Sequence, residues 1–222
     1  MIIEGIEFEL TRKNIKYLRL TIREGKVRVS APLLASEKEI FAFIHKKMHL
    51  IKKHINSCSG MARFEKRYVE GERFQLWGKD YTLRLKLGHA ANACLLSGNE
   101  IILCLKSDNI EIKKKLVKQM YLEQLREKAQ EYLRRWQSVT GLESDSLRIR
   151  DMKSRWGSCN IPKKDICLNL KLACFEELCL SYVTLHELLH LKERGHNKRF
   201  YALLWRYMPE WQKARQTLNG RA

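Results

Sequence analysis

Apolar positions in the first thirty residues fall at strand spacing. Ile15, Leu18, Leu20 and Ile22 stand amid polar neighbours, and Val27 and Val29 alternate with Lys26, Arg28 and Ser30, so residues 2–30 read as strands ending at Pro32. The period then becomes helical. Ile40, Ile44, Met48, Ile51 and Ile55 form one stripe, opened by Ser36-Glu37-Lys38-Glu39 as a capping box. Residues 57–71 read as a linker. Residues 73–87 follow as a hairpin turning at Gly78-Lys79-Asp80, and residues 100–105 as one more strand.

A second helix opens at Asp108 and Glu111. It carries Leu122, Leu125, Ala129, Leu133 and Trp136 at helical spacing and stops at Gly141. Strands at 147–151 and 166–170 precede a helix from about 175 to 194. Asn197 caps a further helix bearing Phe200, Leu203, Leu204 and Tyr207, which Pro209 ends. No internal repeat or low-complexity tract is visible. Strands dominate early and helices late, so the fold class is α+β: a β-rich region with one helix over 1–107, then a helical/β domain over 108–222, divided near 105–110.

The chain has 222 residues, enough to bury a sizeable core, and no run of 18 apolar residues that would span a bilayer. Acidic residues stand at the amino terminus where a signal peptide carries lysines. With an odd count of seven cysteines and no CxxC pair, this predicts reduced thiols in the cytoplasm, acting mainly as small hydrophobes. The net charge of +18 favours anionic partners: nucleotides, nucleic acid or an anionic surface. Residues 192–222 alone hold eight Lys and Arg against Glu193 and Glu210.

That basic segment follows a chemical motif. His186-Glu187-Leu188-Leu189-His190 matches H-E-x-x-H on a predicted helix, where residues i and i+4 share a face and two imidazoles can reach one metal. Glu187, turned about 100° from His186, reaches the place of a metal-bound water and can take its proton. His196 is the third candidate ligand, brought back if Gly195 ends the helix in a left-handed turn. The spacing of His190 and His196 equals that of the metzincin pattern, but Glu193 stands where that pattern has glycine, and no Met-turn is evident. Glu193 is either an outer partner that orients a histidine or a ligand in place of His196. Tyr182, on the same helical line, reads as core. His45 and His49 share the i, i+4 spacing but lack the intervening glutamate and lie among lysines, so they read as a solvated basic face.

The segments RIRDMKSRWGSCN, ICLNLKL, SYVTLHELLHLKERGHNKRF and YMPEW together resemble the YgjP-like metallopeptidase family, as do the early strands and WGKDYTL. The resemblance covers essentially the whole chain and is most specific at Ser154-Arg155-Trp156-Gly157-Ser158-Cys159 and at His186 to His196. It implies a relative of the zincin peptidases with a substrate-side strand beside the active helix, His186, His190 and His196 as ligands, and Glu187 as catalyst. The family has also been linked to hydrolysis of nucleoside triphosphates, as UTP pyrophosphatases.

Arg155, Ser158 and Asn169 are the candidate binding residues beside this centre, and Arg155 is with Glu187 a candidate catalytic residue. Arg155 would clamp phosphate oxygens or stabilise an oxyanion, and Asn169 either touches substrate or satisfies backbone groups. The expected activity is zinc-dependent hydrolysis of nucleoside triphosphates, with other divalent transition metals able to occupy the same imidazoles. The alternative is an intracellular zinc peptidase acting on peptide, including nucleic-acid-bound protein. A purely structural zinc site would have no use for Glu187.

Overall fold

Val27, Val29 and Ala31 point inward from one strand while Arg28 and Ser30 point out, and that alternation builds the first core. The computed structural model describes residues 2–23, 26–61 and 66–220. Two compact units result, Met1–Lys66 and Arg67–Ala222. In the first, strands β1 (Ile2–Ile3), β2 (Ile6–Lys13), β3 (Arg19–Arg23) and β4 (Lys26–Pro32) lie in the order β1-β2-β4-β3, and helix α1 (Glu37–Met61) follows. Phe8, Val27 and Val29 share a core with Ile40, Ile44, Met48 and Ile51 of α1. The capping box forms as expected. The Ser36 amide donates to Glu39 Oε2 at 2.8 Å, and the Glu39 amide to Ser36 Oγ at 3.3 Å. The helix runs to residue 61, past the linker start expected at 57; the Ile55 side chain and residues 62–65 lie outside the described residues.

The second unit opens with β5 (Arg73–Leu76), β6 (Lys79–Leu87), β7 (Ala93–Ser97) and β8 (Glu100–Leu105), followed by helix α2 (Ile110–Thr140). Their order is β5-β6-β8-β7. Here β6 and β8 are parallel between antiparallel partners, just as β2 and β4 are in the first unit. The chain therefore uses one four-strand-then-helix topology twice, a repeat the sequence does not display. Only the in–out alternation is needed to build the topology, and many residues satisfy it.

The first hairpin turns at Trp77-Gly78, both with positive φ (53° and 73°), earlier than the expected Gly78–Asp80. A Cβ at Gly78 would lie 2.8 Å from Glu176 Cγ, and the Trp77 amide donates to the Ala173 carbonyl at 2.8 Å. Glycine thus seats this turn against the segment that opens the site helix. On α2 the cap is Asn109 rather than Asp108: its Oδ1 accepts from the amides of Glu111 and Ile112, while Asp108 pairs with Lys113. Gly141 ends the helix in the left-handed conformation, as expected.

Strands β9 (Ser146–Arg150), β10 (Gly157–Asn160) and β11 (Asp165–Asn169) form a third sheet with β11 central, parallel to β9 and antiparallel to β10. A 3₁₀ turn (Leu170–Cys174) leads to α3 (Glu177–Leu189), α4 (Lys198–Tyr207) and α5 (Trp211–Leu218). Leu83 and Leu103 of the second sheet, Leu125 and Trp136 of α2, Leu168 of β11 and Leu185 of α3 belong to one continuous core. For that reason the division expected near 105–110 falls inside the second unit. The class is α+β, with strands concentrated early and helices late.

Candidate metal centre

Helix α3 is buried on nearly every side, which explains its apolar sequence and the internal bond from Thr184 Oγ1 to the Leu180 carbonyl (2.8 Å). It ends earlier than expected, at Leu189, with His190 as its cap. The amides of Leu191, Lys192 and Glu193 fold back onto the carbonyls of Leu188 and Leu189. Gly195 is not left-handed. The early stop, rather than a glycine turn, reverses the chain and returns His196 to the helix.

Nε2 of His186 lies 3.3 Å from Nε2 of His190 and 2.9 Å from Nε2 of His196, and the potential ligand atoms of all three fall within 4.8 Å of one another. His190 Nδ1 lies 3.0 Å from the Glu193 carbonyl oxygen, which only accepts. Nδ1 therefore carries the proton, and the Nε2 lone pair faces the other rings. Burial first, then the neighbouring imidazoles His190 and His196, hold the His186 pKa down to about 3, so its ring is neutral. Imidazoles this close cannot all satisfy each other as hydrogen-bond partners. A tetrahedral zinc with bonds of about 2.0–2.1 Å would set its nitrogens about 3.3 Å apart, so the donor set fits a divalent transition metal. His45 and His49 are not part of this group.

Phe200 of α4, fully buried, stacks on His190 (4.9 Å, 24°) and meets His186 and His196 edge-on. Asn197 caps that helix through the Phe200 amide at 2.9 Å, as expected. Tyr182 is core, and its hydroxyl lies 3.5 Å from His186 Nδ1. Glu193 does meet a histidine, but through its backbone carbonyl; its carboxylate accepts from Asn197 Nδ2 at 3.0 Å.

Glu187 is buried against β10, and burial pushes its pKa up to about 7 against the opposing pull of the Arg155 guanidinium. A Cβ at Gly157 would come within 2.6 Å of Glu187 Oε1 and 2.7 Å of its Cγ. Only glycine leaves room for the carboxylate, a role the sequence alone does not signal. The same desolvation raises the Cys159 thiol to about 11, so it stays protonated.

Arg155 and Ser158 line a cleft of about 360 Å³ together with His186, Glu187, His190 and His196. Arg194, absent from the sequence-derived candidates, lines it too. Asn169 does not reach this cleft. Its Nδ2 donates to the carbonyls of Met152 (2.8 Å) and Arg155 (2.6 Å), and its Oδ1 accepts from the amides of Lys171 and Met152. It is a clamp on the loop that carries Arg155, not a substrate contact, because its hydrogen-bonding capacity is already used on backbone.

No curated protein matches the chain. Among solved structures, it is similar to the metallopeptidase zymogen jannalysin of Methanocaldococcus jannaschii, at 25% identity over 40% of this chain and 86% of that one, with a TM-score of 0.37. It is also similar to the metallopeptidase zymogen abylysin of Pyrococcus abyssi, at 22% identity over 40% and 90%, with a TM-score of 0.38. The YgjP-like metallopeptidase domain matches residues 16–221, nearly the entire chain, which therefore belongs to this family of metal-dependent hydrolases.

Proposed function

We propose that His186, His190 and His196 hold one zinc ion through Nε2, and that the enzyme hydrolyses nucleoside triphosphates such as UTP to the monophosphate and pyrophosphate. The observation that carries the substrate class is the charge of the cleft. The guanidinium groups of Arg155 and Arg194 line it with no side-chain hydrogen bond or ion pair among the described residues, facing a centre whose one carboxylate, Glu187, is buried and feels the Arg155 charge. Unpaired guanidinium groups around a dry carboxylate suit a polyanionic substrate better than a neutral one.

A divalent metal bound there would act as a Lewis acid and lower the pKa of a coordinated water to about 7. Glu187, a buried carboxylate beside His186, is placed to accept a proton from the attacking water. The water oxygen bonds to the α-phosphorus, and the bond from that phosphorus to the α–β bridging oxygen breaks. Pyrophosphate leaves with the electron pair, and the proton on Glu187 passes to it or to solvent. Arg155 holds phosphate oxygens, and Gly157 keeps space for Glu187 to face them.

A second reading follows from β10, which pairs only with β11 among the described residues and leaves an edge beside the site for an extended peptide. The test offers metal-loaded protein all nucleoside triphosphates and unfolded casein side by side. Pyrophosphate release from UTP is expected. Glu187→Gln should lose about a hundredfold to ten-thousandfold in rate while keeping its metal. Steady casein cleavage without nucleotide turnover moves the assignment to the peptide.

A further inference from the structure

The centre is flanked by two different cavities. Gly157, His186 and Glu187 line both the 360 Å³ cleft and a second cavity of about 230 Å³. The first carries Arg155, Ser158 and Arg194. The second is lined by the aromatic rings of Trp156 and Tyr182, by Val183 and Leu218, and by Arg215 and Asn219. The first side holds two arginines, the second one arginine beside Trp156, Tyr182, Val183 and Leu218, and the base Glu187 stands at the junction. That asymmetry matches the asymmetry of a nucleoside triphosphate cut between its α and β phosphates.

We infer that the substrate lies across the centre in one direction, its β and γ phosphates over Arg155 and Arg194 and its nucleoside in the Trp156–Tyr182 cavity, with Arg194 as the residue that fixes the terminal phosphate. This rests on the nucleotide reading above. Arg194 is singled out by what surrounds it. Beyond the cleft, past Ser158, Cys159 and Ile161, a third cavity of about 540 Å³ opens, and Arg194 lines that one as well. The other arginine there, Arg148, is bound to the buried carboxylate of Asp165, which also accepts from Ser146 Oγ. That ion pair is neutral and offers no anion site. The neighbouring Glu193 carboxylate is occupied by Asn197. Arg194 is thus the outermost cation of the cleft with no partner among the described residues, where a phosphate chain leaving the centre would end.

Titration calorimetry on the metal-loaded Glu187→Gln protein tests this with pyrophosphate, UMP and UTP as separate probes. Arg194→Ala in that background should weaken pyrophosphate and UTP by about tenfold or more, the worth of a charge-assisted contact, and leave UMP and metal content unchanged. Arg194→Lys should recover part of the loss, since an ammonium retains the charge without the fork. Unchanged pyrophosphate affinity in Arg194→Ala beside firm UTP binding removes the subsite alone. Loss of UMP instead of pyrophosphate reverses the direction and overturns the inference. If the parent Glu187→Gln protein binds neither UTP nor pyrophosphate, the nucleotide reading fails and this inference falls with it.

Discussion

At the scale of residues, the centre depends on which atom of each side chain is used. Glu193 touches His190 through its main-chain carbonyl, so replacing its side chain leaves that contact in place. Glu193→Ala should therefore weaken metal binding by less than about tenfold, below the usual cost of deleting a partner that orients a ligand, whereas His196→Ala should weaken it by more than about a hundredfold. Competition with a chromophoric chelator measures both, and the reverse order would make Glu193 the ligand. Gly157 is the second such case. A methyl group there would occupy the space of the Glu187 carboxylate, and displacing a catalytic group by about 1 Å can cost on the order of a hundredfold. Gly157→Ala should lower kcat by about that factor while the protein still binds its metal. An unaltered kcat would mean that Glu187 works from another position.

At the scale of elements, helix α3 is held to α2 by a polar tie at its first turn. Lys128 Nζ donates to Glu177 Oε1 at 2.5 Å, and the Tyr132 hydroxyl to Glu177 Oε2 at 3.0 Å. Burial alone would raise the Glu177 pKa, but these two donors outweigh it and hold it below the ordinary 4.5. A carboxylate depressed in the folded state adds stability that is present above its unfolded pKa and disappears as pH falls through the folded value. Urea midpoints should therefore drop on acidification from neutrality to well below pH 4.5, and Glu177→Gln should drop less over the same interval. Equal slopes for the two proteins would show that the tie contributes nothing. The elements also show where sequence reading stops. His186, Glu187 and His190 are legible because one helix repeat alone brings them together. His196 is legible as a candidate third ligand, but its route back is not, since α3 ends at Leu189, five residues early, and Gly195 is not left-handed. Strand β10 was missed because Gly157-Ser158-Cys159-Asn160 has no apolar alternation; its register is imposed by β11. In α5, Trp211, Ala214 and Leu218 are helically spaced, but eight residues are too few to stand out. The stretch after residue 56 reads as a loop because Ser57, Ser59 and Gly60 are poor helix formers, yet α1 continues through them.

At the scale of the whole molecule, the repeated four-strand-then-helix topology accounts for most of residues 2–140, and the elements of the candidate centre come after it. No described helix is long and apolar enough to cross a membrane. The surplus of 43 Lys and Arg over 25 Asp and Glu gives the molecule a field that attracts anions, the proposed triphosphate among them. Such steering is screened once the Debye length falls to about 10 Å, near 0.1 M salt, so kcat/KM for UTP should decline steadily with ionic strength while kcat changes little. On the proposed reading Arg155 adds a local contact to that long-range attraction, and the two can be separated. Arg155→Ala should reduce kcat/KM by about tenfold or more at every salt concentration, because a lost phosphate contact is short-ranged, and should leave the metal in place, because the guanidinium is not a ligand. Arg155→Lys should restore the salt-dependent part more fully than the contact, since it keeps the charge and loses the bidentate geometry. If instead kcat/KM is indifferent to salt and to both substitutions, neither the global field nor Arg155 captures the substrate, and a neutral peptide along the β10 edge becomes the better account of this cleft.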